Sequence, residues 1–211
     1  MDIFDAIKTT RAMRRLDPDH DVPHEDLRLV LDAAGRAPSG GNRQPLRWIV
    51  VRDAALRRAL GDLYRDVSRE LAGPGAKMPR ESDRSPEARM ARSMEHLVEH
   101  FGDAPVVILA CAGGDPGRIE ASVYPAVQNL MLAARARGLG TTLTLRLRGK
   151  ADEVRSLLGI PRDIQIFAAI PLGYPLGKWG TAPRRPVEEV AFGDRWGEPF
   201  EAPPAAGDPR R

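Results

Sequence analysis

Three arginines fall close together near the start of the chain, Arg11, Arg14 and Arg15. A guanidinium carries a planar fork of donors, and several converging forks hold a phosphate dianion better than any lone cation. If this turn is helical, Arg11 and Arg15 share a face and can grip one phosphate together. A solvated basic turn is the plain alternative. A second candidate is the loop Ala37-Pro38-Ser39-Gly40-Gly41-Asn42-Arg43-Gln44-Pro45. Its two glycines let backbone N–H groups come close to a ligand, and the amides of Asn42 and Gln44 match the donor and acceptor edge of a heterocycle.

Two further patterns compete. His96-Leu97-Val98-Glu99-His100 has the H-x-x-E-H form of a zinc hydrolase helix, with both His one turn apart. No further ligand is identifiable, so the metal reading rests on His96, Glu99 and His100 alone. Gly113-Gly114-Asp115-Pro116-Gly117 lies between an apolar run and a helix, as a dinucleotide turn would. Its glycine spacing is wrong, and Asp115 sets negative charge where a pyrophosphate must dock.

The elements that must position these groups read as follows. Residues 2 to 10 pattern as a short helix with Ile3, Phe4 and Ile7 on one face, and a second helix runs from Pro23 to Gly35. A strand is predicted at 46 to 52, then an amphipathic helix from Asp53 to Leu71. Ala72 to Glu87 is rich in Gly, Pro, Ser and alternating charge, and reads as a mobile excursion. A buried strand at 104 to 112 precedes a helix from Ile119 to Arg137, whose residues Ile119, Val123, Val127, Leu130 and Ala134 form an apolar stripe closed by Gly138. That stripe is too apolar for a free surface, which points to an obligate dimer. Thr141 to Leu147 has strand composition, Ala151 to Leu158 is a short helix, and 164 to 172 is a further strand. Strands alternating with helices imply a central sheet covered by helices.

At 211 residues the chain suits one domain with a substantial core. Its 32 basic and 29 acidic residues are interspersed, leaving a formal charge of +3, so no single-sign face implies nucleic acid. Cys111 is the one cysteine and lies inside an apolar run, which excludes a disulfide framework and reads as a buried structural thiol. The first five residues carry Asp2 and Asp5 where a signal peptide would be basic, and no stretch approaches the ~18 apolar residues of a membrane span. A cytoplasmic protein is expected, with no membrane partner.

Taken together, the turn Arg11-Ala12-Met13-Arg14-Arg15 and the P-S-x-x-N-x-Q-P loop resemble the nitroreductase family. Gly138-Leu139-Gly140-Thr141-Thr142-Leu143-Thr144 and Ile170-Pro171-Leu172-Gly173-Tyr174-Pro175, followed by Pro183-Arg184-Arg185-Pro186, extend the likeness in the right order. The resemblance implies an α+β fold over residues 1–195, with a central, mostly antiparallel sheet flanked by helices. It also implies an intertwined homodimer with FMN in each interface site. The tail at 196–211 is expected to be disordered on composition, because its Ala, Pro, Gly and charged residues cannot bury enough surface to offset ordering. By the same resemblance Arg11 and Arg15 hold the FMN phosphate or ribityl end, Arg185 closes over the phosphate beside Arg184, and Ala12, Met13 and Arg14 line the same turn. Pro38, Ser39, Gly40 and Asn42 lie against the isoalloxazine from the other subunit, with Gln44 in support. Thr142, Leu143 and Thr144 approach its other side. The family often has Ser where Ala12 stands and an aromatic where Leu16 stands. The implied activity passes electrons from NAD(P)H through FMN to a nitroaromatic or quinone by a ping-pong mechanism, with no catalytic side chain assigned. The alternative on the same fold is a flavin-binding or sensing module.

Overall fold

The computed structural model describes residues 1–75 and 78–200. Two compact units divide the chain, Met1–Gly180 and a second beginning at Thr181. The first holds a four-stranded antiparallel sheet of β1 (Leu46–Val51), β2 (Val106–Gly113), β3 (Gly140–Thr141) and β4 (Ile164–Gly173), in the order β1-β2-β4-β3. The helices are α1 (Ile3–Thr9), α2 (His24–Gly35), α3 (Ala54–Ala72), α4 (Pro86–His100), α5 (Pro116–Ala136) and α6 (Ala151–Leu158).

β2 is apolar along its whole length because both of its faces are covered. Val106, Ile108, Ala110 and Ala112 pack with α2 and α5, while Val107, Leu109 and Cys111 pack with α3, α6 and Phe101. The period-2 alternation is broken once on β4. The register slips between Ala110 and Cys111, leaving Phe167 as an extra residue, so Phe167 and Ala168 both join the first core layer. Cys111 is buried, and desolvation pushes its thiol up to about 11, as expected of a structural cysteine.

The stripe of α5 is buried within its own chain: Val123, Val127, Leu130 and Ala134 are fully enclosed against α2 and the sheet. The dimer argument built on that stripe therefore fails, since β2, β4 and α2 already cover it. α1, by contrast, leaves apolar residues without cover: Ile3, Phe4 and Ile7 are 56%, 78% and 54% exposed and only Ala6 is buried. An ion pair fixes the far end of α5, with the half-exposed Arg137 Nε 2.6 Å from the buried Asp26 on α2.

The strand expected over 141–147 is shorter than its composition implies. Pairing with β4 runs from Gly140 to Thr141 and resumes at Thr144, which exchanges both backbone hydrogen bonds with Ala169 in unchanged register. Between them Thr142 turns its hydroxyl to the Met13 carbonyl and leaves the ladder. After Thr144 the basic run Arg146–Lys150 coils as a 3-10 turn, with Lys150 Nζ 2.6 Å from Glu70. Within the predicted excursion, Ser85 caps α4 by accepting from Ala88 N, and Arg92 ties the approach to α4 by donating to the carbonyls of Arg80 and Asp83. In the second unit the described residues form a 3-10 turn at Val187–Glu189 and a bridge between Phe192 and Pro199. Most of the tail expected to be disordered, 201–211, lies outside the described residues.

Candidate functional site

The arginine-rich turn is not helical. α1 ends at Thr9, and the following residues run along the free side of β3 as an edge segment. Met13 N donates to Thr141 O at 2.9 Å, Thr142 Oγ1 to Met13 O at 2.9 Å, Asp17 N to Tyr174 O at 2.8 Å and Leu176 N to Arg15 O at 3.0 Å. Arg11 and Arg15 are thus placed by a backbone ladder and do not share a helical face as expected. Glycine is required for this docking: a Cβ at Gly140 would lie 2.8 Å from Met13 Cβ. Arg11 and Arg15 are exposed, and among the described residues neither makes an ion pair. Arg14 turns inward. Its Nη1 reaches Ser93 Oγ on α4 at 3.4 Å and its buried Nε has no partner. Burial, partly opposed by Tyr64 and reinforced by the like charge of Arg11, holds its pKa below the ordinary arginine value.

The Pro38–Pro45 loop is also organised from within. Ser39 Oγ accepts from Gln44 N at 3.0 Å, and Gly40 N donates to Ser122 Oγ of α5 at 3.2 Å. Asn42 and Gln44 have φ of 53° and 48°, the left-handed region, where a Gln is uncommon. Gln44 Nε2 donates to Asn42 Oδ1 at 3.1 Å, which leaves the Asn42 NH2 and the Gln44 carbonyl to serve as a donor and acceptor pair. Pro38, Gly40 and Asn42 are exposed. Within one chain this loop and the arginine segment stand at opposite ends of α5. Ser122 holds the loop, whereas Arg135 donates to Thr9 Oγ1 at 3.0 Å near the arginines. At ~1.5 Å per residue these two anchors are about 20 Å apart along the helix.

Thr142, Leu143 and Thr144 form a wall between the edge segment and α3. Both threonine hydroxyls are engaged, Thr142 with Met13 O and Thr144 with Tyr64 Oη at 3.1 Å. Tyr64 is fully buried and stacked on Phe101 at 4.3 Å, and the Arg146 guanidinium lies 5.9 Å from its ring centroid. Ser122, Tyr64, Ser93 and Arg146 were not legible as site residues. Only Tyr64 left a signal, since a buried tyrosine needs a partner for its hydroxyl. Arg184 and Arg185 fall in the second unit, where Arg184 Nη1 donates to Pro183 O at 2.9 Å.

The zinc pattern is drawn apart by its own helix. Glu99 faces α3, with Arg65 Nε at 3.1 Å and Arg69 at 3.4 Å. His96 and His100 stack together at 4.3 Å on another side, and His100 Nδ1 meets Asp103 at 2.8 Å. Among the described residues no cluster of His, Cys, Asp and Glu is suited to a metal. Burial, then the charges of His100 and Arg15, hold the His96 pKa below its ordinary value, partly opposed by Asp103. The glycine-rich turn before α5 is a capped helix start, with Asp115 accepting from Gly117 N at 3.2 Å. Among the described residues no helix is long and apolar enough to cross a membrane.

The chain is similar to several known proteins. The chain is 30% identical to the NADH dehydrogenase of Thermus thermophilus, over 91% of this chain and 96% of that protein. Among solved structures, the FMN-dependent nitroreductase NfnB from Mycobacterium smegmatis in complex with NADPH superposes with a TM-score of 0.70 at 26% identity, covering 92% of this chain and all of that one. Iodotyrosine deiodinase bound to FMN and 3-iodo-L-tyrosine superposes at 0.72 with 25% identity, covering 88% and 96%. The sequence profile of the nitroreductase family matches residues 7–174. That span takes in the edge segment, the loop and the whole sheet, so the chain belongs to the nitroreductase family.

Proposed function

We propose that this chain is an FMN-dependent oxidoreductase that takes electrons from NAD(P)H and passes them to a small oxidised acceptor, a nitroaromatic or a quinone. The observation that carries the reading is the edge segment. Arg11, Arg14 and Arg15 follow closely along one backbone segment and make no ion pair among the described residues, and the charge of Arg11 acts on Arg14. Such a cluster, held by backbone bonds and containing an orphaned buried Nε, fits a phosphate dianion. Arg11 and Arg15 would bind the FMN phosphate, and Arg14 would add positive potential from its half-buried position. Arg184 and Arg185 are assigned to the same group by resemblance alone. When bound, FMN supplies the two-electron redox chemistry. Thr142 and Thr144 position the wall from behind, their hydroxyls being spent on Met13 and Tyr64. The loop amides of Asn42 and Gln44 would orient the heterocycle.

Because that loop and the arginine segment lie at opposite ends of α5, one site takes its arginines from one chain and its loop from a second copy. The exposed apolar residues of α1 support such an assembly. Sedimentation at micromolar concentration is expected to show a dimer of the 23.1 kDa chain. A mainly monomeric species that still retains flavin would overturn the composite site. With one site serving donor and acceptor in turn, steady-state kinetics with NADPH or NADH against a quinone should give parallel double-reciprocal lines. Intersecting lines would reject the shared site.

A further inference from the structure

A cavity of about 410 Å³ opens between the C-terminal end of α3 and α4. Its walls include Leu71, Ala72, Ala91, Met94 and Val98, and Arg146 also lines it. The volume lies in the range of small-molecule sites, about 300–1,000 Å³, and the aliphatic and thioether surface suits a flat aromatic body. Of the two arginines that line the cavity among the described residues, Arg146 is the one without an ion pair. Arg69, also in the lining, is 3.4 Å from Glu99, and Arg148 is 3.5 Å from Glu120, but Arg146 makes no ion pair among the described residues. It is half-buried beside the Tyr64 ring, and its backbone N–H contacts Thr144 Oγ1 at 3.4 Å. Arg146 therefore joins the wall formed by Thr142, Leu143 and Thr144 to this cavity.

We propose that Arg146 is a specificity-determining residue that anchors an acidic acceptor, a small planar aromatic bearing a carboxylate, with the ring against Met94 and Val98 and the carboxylate on the guanidinium. The inference rests on the reading of the chain as a flavin-dependent oxidoreductase and names the substrate class of that site. A planar fork facing a carboxylate gives paired, charge-assisted hydrogen bonds that a neutral amide cannot match. Glu95, the exposed acid of the lining, opposes the same charge and makes no ion pair with Arg146 among the described residues. Its removal should tighten binding of an anionic acceptor.

The test compares 4-nitrobenzoate with 4-nitrobenzamide, which has the same shape without the charge, on the purified flavin-loaded protein. Calorimetric titration of the oxidised protein gives the dissociation constants without turnover, and steady-state rates give KM and kcat. Wild type should bind the carboxylate about tenfold to a hundredfold more tightly than the amide. Arg146→Gln should erase that preference by weakening the carboxylate alone, raising its KM with kcat little changed. Arg146→Lys should keep part of the preference, and Glu95→Gln should increase it. An unchanged carboxylate-to-amide ratio in Arg146→Gln, an equal loss for both ligands, or loss of flavin from that variant would each overturn the proposal, the last by placing Arg146 on the cofactor. Protein that retains no flavin at all would instead sink the functional reading, a result visible in the absorption spectrum before any acceptor is added.

Discussion

Changing Arg11 and Arg15 together to Ala is expected to weaken FMN binding by roughly a hundredfold to ten-thousandfold. Each guanidinium in a charge-assisted contact to phosphate contributes about 1.5 to 3 kcal/mol, so each single variant should lose about tenfold to a hundredfold. The double-variant range is the sum of the two single effects, and coupling through the shared ligand would show as a departure from it. Titration of apo-protein with FMN, followed by quenching of flavin fluorescence, gives each constant. Arg58, exposed on α3, is the suitable control for a general loss of positive charge. Its neighbour Arg57 is not, because its Nη1 donates to the carbonyls of Gly102 at 3.1 Å and Ala104 at 2.6 Å and so holds α3 to the turn before β2. Equal affinities for wild type, Arg11→Ala and Arg15→Ala would mean that the phosphate lies elsewhere.

Gly140→Ala should damage the site with no change to any group that touches the cofactor. The added methyl would sit 2.8 Å from Met13 Cβ and 3.1 Å from Leu16 Cδ2. A Cβ atom cannot swing aside as the end of a long side chain does, so the edge segment must move off β3. Overpacking of this kind costs about 1 to 3 kcal/mol. The Met13–Thr141 bond would lengthen, and the arginines carried on that segment would lose their placement. Thermal melting should show the destabilisation, and flavin titration should show weakened FMN binding beyond that of Gly35→Ala, where a Cβ meets nothing within 4 Å. A stable Gly140→Ala protein with normal FMN affinity would show that the segment need not sit where it does.

Much of this architecture is legible in the residues, for reasons that differ from element to element. α5 and β2 were readable because burial on one stripe or on both faces leaves a dense apolar pattern. The caps of α3 and α4, Asp53 and Ser85, sit at the boundaries that their types favour. The arginine segment was recognisable as a phosphate grip but not as an extended strip, because its conformation is imposed by β3 and Tyr174, far along the chain. Thr141 to Leu147 misled for a related reason. The composition favours a strand, yet Thr142 bonds to Met13 and the ladder breaks there. The inward turn of Arg14 toward Ser93 and the place of Arg146 depend on contacts between elements distant in sequence, which no local pattern records.

The way the edge segment is held also bears on how such a site can change over generations. Its four anchoring bonds use main-chain groups of Met13, Arg15 and Asp17, and Thr142 supplies the one side-chain hydroxyl. Side chains at positions 12 and 16 take no part in those bonds. A change of side chain at the exposed position 12 therefore leaves the path of the segment intact while altering what it presents to a ligand, whereas Leu16 also packs against Gly140 and Gly173. The scaffold is inherited through the backbone, and the chemistry at its surface is free to drift.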